Sequence, residues 1–213
     1  MTTALVATDP APVAARSRAT ADLALERRTL RRLLDEATGL VAGVVPGHVD
    51  RAALLGAHVR HVVTLIEQHE LAVVRAGPPV ARRDARAAAA ISRIRHLRGD
   101  VDVRLSRLSL ALPYWERGAS AVCRDTVWEV LVELGLALEA LSAAEERDLL
   151  PLVLDGDVPP RAALGPWTGH LLETLTASAG RAWRSERMTP AERVRWRLLD
   201  GPRFHRTRRR VRG

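Results

Sequence analysis

A carboxylate or an imidazole set into an otherwise apolar helical stripe is how helical proteins build metal and proton-transfer sites. Two residues of this sequence fit that pattern best. Glu145 lies four residues after Leu141 and four before Leu149, in the middle of an inward stripe, with Glu146 on its flank. His69 lies on the face that carries Val62 and Leu65, and His58, eleven residues earlier, projects from the same face about three turns away. A buried carboxylate is costly until something neutralises it. A metal ion could do so for Glu145, an arginine could do so, or the side chain could snorkel to the end of its helix. For His69 alone, a core histidine with a satisfied hydrogen bond is the plain alternative. Arg27 and Arg98 stand at the edges of their own stripes, and a guanidinium binds a carboxylate in a two-pronged fashion.

The remaining titratable residues say less. His96 falls nearly opposite the apolar ladder of its helix, His61 toward the edge of its stripe, and His48, His170 and His205 in no clear pattern. No HxxxH, ExxH or HExxH pair occurs, and a lone Cys123 rules out CxxC. Cys123 has no neighbouring histidine, and no phosphate-binding glycine loop, nucleophile elbow or nucleotide fingerprint appears. A conventional enzyme is the weakest reading.

The elements that would position these residues are helices. Apolar residues make up 47% of the chain and aromatics only 3%, a mixture that suits closely packed helices better than a β-sandwich. Prolines at 46, 78–79, 113, 151, 159–160, 166, 190 and 202 punctuate the chain where helices should stop. Between them, four segments carry helical periodicity, roughly 20–45, 48–76, 81–112 and 122–150. Their stripes run through Leu30, Leu34 and Val41, then Leu55, Val62 and Ile66. Ile94, Val101, Leu105 and Leu108 mark the third, and Leu131, Leu134, Leu138 and Leu141 the fourth. Short links between long helices predict an all-α, up-and-down four-helix bundle over 20–153, after a disordered leader at 1–19. Beyond it, a helical extension over 154–202 is expected to pack on the bundle, with helices near 163–184 and 190–199. The five tryptophans lie mostly at helix ends and in that extension. An Arg-rich tail at 203–213 completes the chain.

All 33 basic residues are arginine, and the net charge is +8. Six arginines fall in 203–213 with no acid, so the rest of the chain carries 8 − 6 = +2. Arg206, Arg208, Arg209, Arg210 and Arg212 could contact phosphates of nucleic acid or of an acidic membrane, although such a run is more often a solvated or helix-capping terminus. Without interleaved aromatics or a DNA-reading motif, the pattern argues against nucleic acid. One cysteine, no signal-like start and no apolar run of spanning length lead to a cytoplasmic protein without a transmembrane segment.

Over residues 23–153 the chain resembles the hemerythrin-like (HHE cation-binding) family. The run Leu141-Ser142-Ala143-Ala144-Glu145-Glu146-Arg147-Asp148-Leu149-Leu150-Pro151-Leu152 is similar to that family's H-L-x-x-E-E-x-x-x-L-P-L signature. His58 through Glu67-Gln68-His69-Glu70 is similar to its histidine-rich H-x-x-x-E region. The resemblance implies a bundle with a non-haem iron site on inward His and carboxylate ligands. It also implies that most ligands have been replaced: Arg27 and Arg98 stand at ligand-histidine positions, Leu141 at a third and Val73 at a ligand glutamate. His69 and Glu145 survive, with His58 and Asp102 as further vestigial candidates. The leading expectation is therefore a non-catalytic binding or scaffold protein with no cofactor, acting on an unidentified protein or small molecule. In it, Glu145 pairs with Arg27, with Arg98 or with both where iron would sit. The alternative is a residual non-haem iron protein for oxygen or redox sensing.

Overall fold

The computed structural model describes residues 10–81, 85–149, 151 and 167–213, with side-chain detail over 21–71, 85–148, 151 and 167–213. Among the described residues every regular element is helical, and the chain is all-α. The four long helices are α1 (Pro10–Ala42), α2 (Val49–Ala81), α3 (Ala85–Gly118) and α4 (Ala121–Ala144); a π-helical turn at Glu145–Leu149 continues α4. The C-terminal part holds α5 (Trp167–Thr174), α6 (Ala177–Arg187) and α7 (Pro190–Arg195). A second π turn at Trp196–Asp200 leads from α7 into α8 (Gly201–Arg212).

Each long helix packs on two others, α1 and α3 both lying against α2 and α4. Polar pairs cross between the helices within the core: Glu26, midway along α1, meets His69 of α2, and Arg98 of α3 meets Glu70 of α2. The apolar ladders face one another in a shared core that includes Leu33, Val41, Leu55, Leu65, Ile66, Leu108, Leu131 and Leu134. Each such side chain contributes about 1.5–3 kcal/mol through burial. Two tight turns close one end. Gly47 takes the left-handed conformation (φ 86°), which only glycine adopts without penalty, and its N–H donates to the Ala119 carbonyl at 2.9 Å. Ala119 is itself left-handed (φ 44°), and Ser120 then caps α4 by accepting the Cys123 N–H at 3.2 Å.

Proline was expected to end helices, and three boundaries differ. α2 runs through Pro78-Pro79 to Ala81, and α3 continues past Pro113 to Gly118. Proline removes one backbone donor and crowds the preceding turn, but a long helix held by packing on both sides tolerates this on its exposed face, where Pro113 lies. Gly201-Pro202 likewise does not end the helix: the π turn at Trp196–Asp200 runs on into α8 through Gly201 in helical conformation. The Arg-rich tail is thus helical. Part of the expected leader is helical too, from Pro10; residues 1–9 lie outside the described residues. The expected helix at 163–184 is two helices, broken where Thr176 caps α6. Its first residues, and the expected loop around Asp155-Gly156-Asp157, lie outside the described residues, as does the Val73 side chain.

Candidate functional site: a buried polar layer and a histidine–arginine cluster

Six polar side chains meet inside the four long helices. From α1 come Glu26 and Arg27, from α2 His69 and Glu70, from α3 Arg98, and from the end of α4 Glu145. All but Arg98 are classed with the buried core. Glu145 is 1% exposed and Arg27 7%. The Arg27 guanidinium donates from Nη2 to Glu145 Oε2 at 2.5 Å and from Nη1 to Glu146 Oε1 at 3.3 Å. The π turn that begins at Glu145 lets two consecutive carboxylates reach one guanidinium, the first from the core and the second from the rim.

His69 is held differently. Its Nδ1 lies 3.0 Å from Glu26 Oε2. Burial, first among the causes, pulls its pKa below the ordinary value, against the attraction of Glu145 and Glu70. Burial thus favours the neutral ring, and the tautomer that donates Nδ1–H to Glu26 leaves the lone pair on Nε2. The Trp167 ring closes over it at 6.4 Å, and Trp167 Nε1 donates to Gln68 Oε1 at 3.2 Å. Glu70 is pushed up to about 7, by burial first and then by the neighbouring Glu145 charge, against the pull of His69 and Arg98. Arg98 donates to the Glu70 carbonyl oxygen at 3.1 Å and stands 3.7 Å from its carboxylate. Arg27 Nε, His69 Nε2 and Glu145 Oε1 have no hydrogen-bond partner among the described residues.

Arg27, His69, Glu145 and Arg98 thus share one layer; of the two arginines considered for Glu145, Arg27 pairs with it and Arg98 stands beside Glu70 of α2. Asp102 is exposed on α3, and its charge adds to the upward push on Glu70. His58 is buried but lies about 16 Å down α2 from His69, so the two cannot share an ion. Among the described residues no three His, Cys, Asp or Glu side chains are grouped as metal ligands. The donor chemistry does not fit a non-haem iron either: a guanidinium against Glu145 opposes a divalent cation at the same oxygen.

Sequence reasoning missed Glu26 and Glu70. Both were legible, since Glu26 lies four residues before Leu30 and Glu70 four after Ile66.

The second cluster lies about three turns away and ties α8 to the core. His58 is held down to about 4 and His170 to about 3, both by burial first; for His58 the Arg208 charge follows, for His170 the neighbouring His61. His61 and His170 share a hydrogen bond between their Nε2 atoms at 3.0 Å, and His61 is also lowered by burial. Arg208, 3% exposed, bonds Glu36 of α1 and, at 3.2 Å, Glu173 of α5. Arg212 reaches Glu36 at 2.9 Å. Burial alone would raise Glu36, but the hydrogen bonds from Arg212 and Arg208 outweigh it and bring it down to about 2. Phe204 stands edge-on to His170 at 4.9 Å and sits on Gly169, where a Cβ would collide with its ring. Of the five tail arginines singled out for anion contact, Arg208 and Arg212 are thus held by carboxylates within the chain; Arg206, Arg209 and Arg210 face solvent. An open cleft of about 650 Å³ beside them is lined by Glu173, His205, Arg208, Arg209, Arg212 and Gly213.

No helix among the described residues is long and apolar enough to cross a membrane. Comparison with protein-family models, curated proteins and solved structures finds no match to this chain. The residues themselves carry the functional reading.

Proposed function

We propose that this chain is a hemerythrin-like, up-and-down four-helix bundle whose metal centre has given way to an arginine–carboxylate core, and that it acts as a non-catalytic binding or scaffold protein. One observation carries the reading, the Arg27 guanidinium on the buried Glu145 carboxylate. In the hemerythrin-like resemblance Arg27 stands at a ligand-histidine position and Glu145 at a surviving ligand. A guanidinium there supplies the positive charge a buried carboxylate requires, and it opens no coordination position for oxygen or substrate. Glu26, Arg27, His69, Glu70 and Glu145 are buried and their pairs tie the four helices together, which leaves the outer faces to meet partners. With Cys123 as its one cysteine, the protein is assigned to a reducing cytoplasm.

Iron and zinc analysis of untagged protein, before and after incubation with Fe(II) and Zn(II), tests this. The expected result is far less than one ion per chain in every sample. One tightly held ion per chain would remove the reading in favour of a residual non-haem iron sensor.

A further inference from the structure

The C-terminal segment from Pro190 to Arg212 is one continuous helix. Thr189 opens it with a reciprocal cap: its hydroxyl accepts the Glu192 N–H, and its own N–H donates to the Glu192 carboxylate at 2.7 Å. Arg195, Trp196, Asp200 and Gly201 all hold right-handed helical angles, so the π turn joins α7 to α8 without a break. At 23 residues, its length is about 34 Å.

One face of this helix is fixed. Trp196 packs on Phe204 at 6.1 Å, Val211 is buried, Arg208 bonds Glu36 and Glu173, and Arg51 donates to the carbonyls of Arg210 and Val211 at 3.0 and 2.6 Å. The opposite face is open. Val194, Leu198 and Leu199 are 58%, 65% and 50% exposed, three branched apolar side chains within six residues. Arg195, Arg203, Arg206, Arg209 and Arg210 are exposed along the same helix. Asp200 is the one acid within Val194–Gly213, and it bonds Arg195 at 3.0 Å.

We infer that this outer face docks on an anionic bilayer, with Val194, Leu198 and Leu199 entering the headgroup–acyl boundary and Arg203, Arg206, Arg209 and Arg210 binding lipid phosphates. Apolar side chains at one end of a helix and exposed guanidinium groups at the other match the two layers such a surface offers. The Arg-lined cleft borders this face through Arg209 and gives a headgroup room beside the helix. A single-stranded nucleic acid would share the arginines but would use aromatic platforms, and the two aromatics of the helix, Trp196 and Phe204, turn inward on each other. The three apolar side chains have no role on a polyphosphate.

Co-sedimentation of the full chain with phosphatidylcholine vesicles, with and without phosphatidylglycerol, tests the inference. Binding to the anionic vesicles should exceed binding to the neutral ones by at least about tenfold and weaken as salt rises from about 0.1 M to about 0.5 M. The pair Val194→Ser and Leu198→Ser should lower it by about tenfold, as should Arg206→Gln with Arg210→Gln, with helical circular dichroism and melting unchanged. Equal affinity for both vesicles, or no binding to either, overturns the inference. So does an apolar pair that binds like wild type, or tighter binding to an oligonucleotide than to anionic vesicles.

Discussion

The Arg27 guanidinium on α1 donates to Glu145 at the end of α4 at 2.5 Å, with both side chains all but closed to solvent. Around that bond the polar layer divides into pairs of unequal exposure, Arg27 with Glu145, His69 with Glu26 and Arg98 with Glu70. Their consequences for stability can be separated.

Glu70 should make the core sensitive to alkali. Its folded-state pKa is raised to about 7 from 4.5, so the stability linked to its protonated form is full below about pH 4.5 and is lost as pH rises through 7. Glu70→Gln keeps the shape and removes the charge. Its unfolding free energy relative to wild type, from denaturant melts, should therefore climb between about pH 5 and pH 8, by an amount on the order of 2–3 kcal/mol. A constant difference across that range would show that Glu70 does not titrate there.

The histidine cluster should act in the opposite sense. His58 and His170 are depressed to about 4 and about 3 from 6.5, so their contribution is full above pH 6.5 and is lost as pH falls through 4 and 3. Each can cost up to about 1.4 kcal/mol per pH unit across its window. Acidification from pH 7 toward pH 4 should loosen α8, read as a change in tryptophan fluorescence from Trp167 and Trp196. His170→Gln, which cannot take up a proton, should flatten that response.

At the α5–α8 contact, Gly169→Ala should destabilise the protein by about 1–3 kcal/mol, because the new methyl meets the Phe204 ring. In the background of Phe204→Leu, a slimmer side chain, the same change should cost much less. Urea unfolding of the four variants checks this, and additive effects would place Phe204 away from Gly169.

Most of the helical core could be read from the sequence because its ladders are long and regular; Ile94 through Leu112 needed nothing beyond a period of 3.6. The inward placing of His69 and Glu145 came from the same period. Which of Arg27 and Arg98 meets Glu145 could not be read, because periodicity fixes a face but not which neighbouring helix that face meets. The burial of Arg208 was harder still to foresee. It depends on Glu36 and Glu173, 172 and 35 residues away, and a run of arginines after Gly-Pro carries the local signature of a solvated end. Pro78, Pro113 and Pro202 were read as stops on local grounds that packing overrode.

The central claim, that Arg27 neutralises Glu145 inside the helices, is tested most directly by a double-mutant cycle in denaturant unfolding. Arg27→Leu alone should cost about 3–5 kcal/mol by leaving a buried charge unpaired, and the pair Arg27→Leu with Glu145→Leu should recover most of that loss. Additive losses, or an Arg27→Leu variant as stable as wild type, would contradict it.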